Sequence, residues 1–200
     1  MDALIAKYRI WISRVIGAVF IALIVLTGSR LTGTLTGALL IFVGVLLVGL
    51  SMAGRLWCSL YIAGYKNQQL IRSGPYSMTR NPLYFFSFLG FTGIGMATQS
   101  LTIGIGTAAL FLLFYPYVIR YEESFLRQEF GTEFDDYLRT TPRFWPKPGL
   151  LREPERWQVN PRSFRREVGD VLGFTLALAL VILIGELHRS GAITPLALLP

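Results

Sequence analysis

Acidic side chains are almost absent from the first half of this sequence: after Asp2 no Asp or Glu occurs before Glu122. Glu122 and Glu123 then stand side by side, just past Arg120, where a long apolar run ends. Carboxylates so close to hydrocarbon are costly unless something pairs with them. On a helix, Arg120 and Arg127 lie within reach of Glu123 at three and four residues, so simple ion pairing is one reading. A functional role for the pair is the other. A second polar segment runs from Gln68-Gln69-Leu70-Ile71 through the turn Ser73-Gly74-Pro75-Tyr76 to Arg80-Asn81-Pro82-Leu83-Tyr84. Asn81 followed by Pro82 is what a helix start requires, Asn as cap and Pro in the first helical position. Such an end presents free N–H groups and partial positive charge, which suits a carboxylate or phosphate.

The elements that must position these groups are set by composition. The 200 residues are 52% hydrophobic and 16% charged, with a mean hydropathy of +0.50. A soluble domain is excluded. Apolar residues come in long runs, the 20 Gly show no triplet period and Cys58 is the sole cysteine, which excludes disordered, collagen-like and disulfide-built chains. The net charge of +7 sits beside apolar runs, which favours anionic lipid over nucleic acid as its counterpart. Cys58 and His188 fall on opposite predicted sides of the membrane, so no metal constellation is expected.

Four stretches, near 10–27, 33–56, 100–119 and 169–187, approach or exceed the roughly 18–20 residues a membrane helix needs. A fifth, 83–98, is opened by Asn81-Pro82 and separated from the next only by Ala97-Thr98-Gln99-Ser100, which reads as a tight antiparallel hairpin. The chain is therefore expected to be an all-α integral membrane protein of about five transmembrane helices. Lys7, Arg9 and Arg14 precede the first, and Arg55, Lys66, Arg72 and Arg80 lie between the second and third, which places those sides in the cytoplasm. The expected topology has the N-terminus in the cytoplasm and the C-terminus outside. Trp57, Tyr61 and Tyr65 recur every fourth residue and read as an interfacial aromatic belt. Ser29, Gly33 and Gly37, with Gly90, Gly93, Gly95, Gly104 and Gly106, read as small residues that permit close helix contact. Leu126, Phe130, Phe134 and Tyr137 form the apolar stripe of an amphipathic helix at the interface. The two polar segments flank the hairpin, so its two cytoplasmic ends bring them together.

Over roughly 68–146 the sequence resembles the isoprenylcysteine carboxyl methyltransferase family and the related phospholipid methyltransferases. The likeness rests on the Gly-Pro-Tyr turn, Arg-Asn-Pro-Leu-Tyr where that family has Arg-His-Pro-x-Tyr, the Glu-Glu pair, Phe-Gly-x-x-Phe-x-x-Tyr and the closing Pro-Arg-Phe-x-Pro. It implies a membrane enzyme using S-adenosylmethionine in a cytoplasmic-side pocket, with a lateral route for a lipophilic methyl acceptor. Carried over, the cofactor contacts are Gln68, Gln69, Leu70, Ile71, Tyr76, Asn81, Pro82, Leu83, Tyr84 and Glu122. Arg120 is the nearest match to the family's acceptor-facing arginine, which in eukaryotic members stands where this chain has Val118. Asn81 in place of histidine argues against a base at that position. Methyl transfer from a sulfonium needs positioning and charge balance rather than a metal. The implied division is an N-terminal helix pair with its interface segment (1–66), a methyltransferase core (67–146), and a linker with a last helix (147–200). In a bacterium the location would be the inner membrane, with membrane lipids as surroundings. Two other classes stay open: an NADPH-dependent sterol-reductase-like enzyme, which no Gly-rich dinucleotide loop supports, and a non-enzymatic membrane scaffold whose glutamates only pair with arginines.

Overall fold

The computed structural model describes residues 15, 17–65 and 68–200. The start of the first apolar stretch, with Lys7, Arg9 and Arg14, and also Lys66 lie outside the described residues. The elements are α1 (Gly17–Leu26), then β1 (Thr27–Ser29), α2 (Leu35–Ile62), α3 (Pro75–Met78), α4 (Pro82–Ala97), α5 (Leu101–Thr140), a 3-10 turn (Pro148–Leu150), α6 (Pro161–Arg189) and β2 (Ala197–Leu199). The long helices start where side chains can satisfy their free N–H groups. Thr34 accepts from Gly37 N, Ser100 from Ile103 N, and Asn160, followed by Pro161, from the N–H groups of Arg162 and Ser163.

Helices α2, α5 and α6 are long and apolar enough to cross a membrane, while α1 and α4 are shorter apolar helices. At 1.5 Å per residue, α2 reaches about 42 Å and α4 about 24 Å, against a hydrocarbon core of about 30 Å. The short α4 is the hub: it packs on α2, α5 and α6. Its approach to α2 is closest at a pair of glycines. A Cβ on Gly44 would lie 2.6 Å from the Gly93 carbonyl oxygen, and one on Gly93 would lie 2.6 Å from that of Gly44. Around this contact Ile24, Val48, Ile94, Ala97, Val181 and Ile184 make a core that joins α1, α2, α4 and α6. Large apolar side chains such as Phe42, Leu50, Leu113 and Leu176 face outward, as lipid-facing residues do.

Several expectations are corrected. Ser29 lies in β1 and Gly33 in a turn, because α2 begins only at Leu35, so Ser29, Gly33 and Gly37 share no helix face. Gly106 has open space where a side chain would go. Arg55 is not in a loop: α2 runs on to Ile62, because the Arg55 charge turns inward onto Ser87 and the Phe174 ring instead of ending the span. The aromatic stripe is not an interfacial belt either. The 147–160 linker folds over it, with Trp157 against Tyr61 and Tyr65 at ring distances of 5.2 and 5.3 Å. The two short strands, paired in parallel from Thr27↔Ala197 to Ser29↔Leu199, are an addition to the all-helical expectation. At three residues each they are too brief to leave a period in the sequence.

The hairpin expectation holds. Thr98, Gln99 and Ser100 join α4 to α5, with Gln99 at φ 64°. Its tip is fastened to the strand pair: Ser29 Oγ donates to the Gln99 carbonyl (2.7 Å), and Ser100 Oγ to that of Pro200 (2.8 Å). His188 lies at this end too, with Nε2 3.0 Å from the Val25 carbonyl oxygen. At the other end Gly74 N donates to Arg152 O (2.8 Å). Reporter fusions after Arg30 and Gln99 are therefore expected to report one side of the membrane, outside by the charge rule, and fusions after Arg72 and Arg152 the cytoplasm. A cytoplasmic reporter after Gln99 would contradict this arrangement.

Candidate functional site

The site residues gather at the end of the bundle opposite the hairpin tip, where the two polar segments and the linker meet. The Gly74-Pro75-Tyr76 turn is dictated locally. Gly74 sits at φ +59°, and a Cβ there would come within 2.3 Å of the Tyr61 ring, so only glycine fits. Backbone bonds from Arg80 N to Pro142 O (2.9 Å) and from Lys147 N to Met78 O (3.0 Å) lace the turn to the Pro-Arg-Phe-Trp-Pro segment. Tyr137 Oη donates to the Tyr76 carbonyl at 2.6 Å.

Glu123 is the tie between α5 and the start of α4. Its carboxylate, 15% exposed, takes Arg80 Nε at 3.1 Å on one oxygen and Arg143 Nη2 at 2.8 Å on the other. Arg80 also donates to the Leu138 and Thr141 carbonyls, and Asn81 Nδ2 to Glu123 Oε1 (3.4 Å) and Arg143 O (2.9 Å). Two expectations are thereby corrected. Asn81 occupies the cap position of α4, but its side chain makes no cap bond, because Glu123 and Arg143 engage it. Glu123 pairs with neither Arg127 nor Arg120. Gly131, at φ 50°, breaks α5 and turns Asp135 back onto Arg127 at 2.9 Å. The same break divides the stripe from Leu126 to Tyr137: Phe134 and Tyr137 are buried, while Leu126 and Phe130 before the kink are half-buried.

Glu122 behaves differently from its neighbour. It is half-buried and has no ion-pair partner among the described residues. Tyr76 is buried against Cys58, Tyr61 and Ile71, with Leu83 and Trp157 on the same cluster. Its hydroxyl and the Trp157 Nε1 are both buried with no hydrogen-bond partner among the described residues. Burial pushes the Tyr76 hydroxyl well above the ordinary phenol range, and the carboxylates of Glu167 and Glu122 are near enough to oppose its ionisation further. It stays a neutral donor. Glu167, on α6, likewise has no ion pair among the described residues. Two carboxylates without ion pairs among the described residues, both within electrostatic reach of the buried Tyr76 hydroxyl, suit a ligand that is cationic in one part and hydrogen-bonding in another.

Of the sequence-derived residues, Ile71, Tyr76, Asn81 and Pro82 are buried here, Leu70, Leu83, Tyr84 and Glu122 are half-buried, and Gln68 and Gln69 are exposed. Tyr84 packs on Tyr115 at 5.2 Å. Arg120 is exposed with its guanidinium over the Tyr117 ring, 5.8 Å from the centroid, and is not among the side chains packed around Tyr76. Trp157 and Glu167 are additions the sequence reading missed. Glu167 and Asp170 are the two carboxylates at the head of the last apolar helix, and that position was the signal available for Glu167.

Fold and site together define an integral membrane protein of apolar helices with a polar site at one end of the bundle. The chain belongs to the phospholipid methyltransferase family, which matches residues 32–133 and so takes in α2, the motif turn, the hairpin and the Glu-Glu pair. It is similar to the cobalt-zinc-cadmium resistance protein CzcN of Cupriavidus metallidurans, 42% identical over 182 residues, 91% of this chain and 83% of that protein. It is also similar to the nickel-cobalt-cadmium resistance protein NccN of Alcaligenes xylosoxydans xylosoxydans, 40% identical over 189 residues, 94% of this chain and 88% of that protein. No solved structure matches the chain at a significant level.

The contrast between the paired glutamate and the unpaired one is testable. Replacing Glu123 with Gln leaves Arg80 and Arg143 without their anion, so thermal unfolding in detergent is expected to show a loss of about 3 kcal/mol. Glu122→Gln is expected to stay within about 0.5 kcal/mol of the parent. Equal losses for the two would contradict the division of roles.

Proposed function

We propose that the protein is an S-adenosylmethionine-dependent methyltransferase that acts on a lipophilic acceptor dissolved in the membrane. The observation that carries the reading is the buried Tyr76 hydroxyl, without a hydrogen-bond partner among the described residues and within electrostatic reach of two unpaired carboxylates, in a chain of the phospholipid methyltransferase family. These residues fit the cofactor. Glu122 and Glu167 complement a ligand bearing a sulfonium and an ammonium group, and the Tyr76 hydroxyl and Trp157 Nε1 supply hydrogen bonds. The start of α4, with Asn81, Pro82, Leu83 and Tyr84, offers its N-terminal field to a carboxylate, and Gln68 to Ile71 form the covering loop. The cofactor supplies an activated methyl group. The protein's part is to align, desolvate and balance charge, the work of Glu122 and of the low-dielectric cluster around Tyr76. Arg120, turned onto Tyr117, takes the acceptor's side of the reaction only by leaving that ring.

The site lies on the cytoplasmic side in this reading, the inner membrane being the location in a bacterium. The two resistance proteins add a setting: the methylated product serves tolerance of transition-metal ions such as cobalt and cadmium. A scaffold in which both glutamates merely pair with arginines is disfavoured by the unpaired Glu122.

Equilibrium binding of labelled S-adenosylmethionine to the detergent-purified protein tests the proposal, with labelled NADPH as the competing ligand. The parent is expected to bind the former and not the latter. Glu122→Gln is expected to weaken binding roughly ten- to a hundredfold, the cost of one charge-assisted hydrogen bond, and Tyr76→Phe by a few-fold to about tenfold. Binding unaffected by either substitution, or NADPH binding alone, would overturn it.

A further inference from the structure

We infer that Arg55 and Ser51 form a subsite for the anionic group of a membrane-dissolved amphiphile, and, resting on the methyltransferase reading above, that this amphiphile is the methyl acceptor. The two residues lie one turn apart on the same face of α2, turned toward the seam that α2 makes with α4 and α6. The Arg55 guanidinium donates through Nη1 to Ser87 Oγ on α4 (2.5 Å) and lies over the ring of Phe174 on α6, 5.4 Å from its centroid. Its Nε is buried with no partner, and no carboxylate pairs with it among the described residues. A ring face and one hydroxyl offset only part of the cost of holding a cation among apolar helices.

Ser51 is a second and independent sign. Serines in apolar helices usually return their hydroxyl to a carbonyl one turn back, as Ser59 does to Arg55 O and Ser87 to Leu83 O. The fully buried Ser51 hydroxyl does not, and has no partner among the described residues. Gly54 and Gly90 let the Phe86 and Phe174 rings close onto the seam: a Cβ on Gly90 would meet both the Phe174 ring and Ser51 Oγ, so an anion reaches Ser51 by displacing the Phe174 ring. A guanidinium edge and a hydroxyl with unspent donors match a phosphate or carboxylate, which is acceptor-only and takes several such bonds. Three residues beyond Arg55, Cys58 packs into the cluster that holds Tyr76, so an anion seated at Arg55 lies about one helical turn deeper than the proposed cofactor wall. Arg55 is itself only half-buried, which leaves the seam open to a molecule arriving from the bilayer.

The test is equilibrium binding of labelled dodecyl phosphate, dodecanoate and dodecanol to the full-length protein in an uncharged maltoside. Wild type is expected to bind both anionic chains at least about tenfold tighter than the alcohol. Arg55→Gln is expected to remove that preference, Ser51→Ala to reduce it several-fold, and Arg139→Gln, on the exposed end of α5, to leave it intact. Arg55→Lys keeps the charge inside the bundle but loses the planar fork, and is expected to weaken dodecyl phosphate binding several-fold. Equal wild-type affinity for phosphate chain and alcohol would overturn the subsite, and so would equal anion binding by Arg55→Gln and Arg139→Gln. Inorganic phosphate binding as tightly as dodecyl phosphate would overturn its assignment to a lipophile. Labelled S-adenosylmethionine measured on the same preparations separates the two proposals. Anion binding through Arg55 without cofactor binding leaves the subsite standing and refutes the methyltransferase reading; the reverse refutes the subsite alone.

Discussion

A single carboxylate, Glu123, meets the guanidinium groups of Arg80 and Arg143 at the mouth of the bundle, and three stretches of chain distant in sequence are held by that meeting. Arg80 stands just before α4, Glu123 well along α5, and Arg143 past the kink that ends in the linker. Burying Arg80 and Glu123 is costly, with Arg143 only partly buried, and an ion pair of this kind adds little net stability over an apolar substitute. Its value is directional. A carboxylate with two oxygens and two arginines with fixed forks permits one arrangement of these segments, whereas apolar packing would permit several. Arg80 also holds the Leu138 and Thr141 carbonyls, so the chain after Gly131 is pinned to the same point.

From that tie the polarity of the adjoining positions follows. Arg80 and Arg143 go to Glu123, while Glu122 has no ion pair among the described residues and, like Glu167 of α6, acts electrostatically on the Tyr76 hydroxyl. The neighbouring glutamates are thus alike in chemistry and opposite in circumstance: one is spent on architecture, the other is available. The linker completes the enclosure by laying Trp157 on Tyr61 and Tyr65, which converts the end of α2 from a lipid-facing stripe into a wall.

Deeper in the bundle the constraint is steric. The α2 and α4 backbones meet at Gly44 and Gly93, and the absence of side chains there lets a helix of only 16 residues serve as the hub for its longer neighbours. Dispersion between closely approaching backbones replaces the hydrophobic drive that lipid removes. The same thinning at Gly54 and Gly90 brings Phe86 and Phe174 inward and leaves the seam in which Arg55 points inward rather than toward the headgroups.

Much of this architecture was legible in the residues themselves. Apolar run length gives the membrane helices, Thr98-Gln99-Ser100 gives the hairpin, and the ordered motifs from Gly74 to Pro146 give the family, because each depends on local spacing or on chemistry carried within a few residues. Partner choice did not follow from spacing. Arg127 looked like the natural partner of Glu123 on a straight helix, but Gly131 at positive φ redirects it to Asp135, and no periodicity announces such a kink. Asn81 looked like a cap and became a bridge, since Glu123 and Arg143 reach it first. Trp57, Tyr61 and Tyr65 were placed on one face by the helical period, yet whether lipid or linker covers that face depends on where residues 147–160 travel. Helical segments, the hairpin turn and the available chemistry are written in local residue spacing. Which of several equivalent charges are neutralised and which stay open is set by contacts among segments far apart in the chain, and so is visible only in the folded bundle.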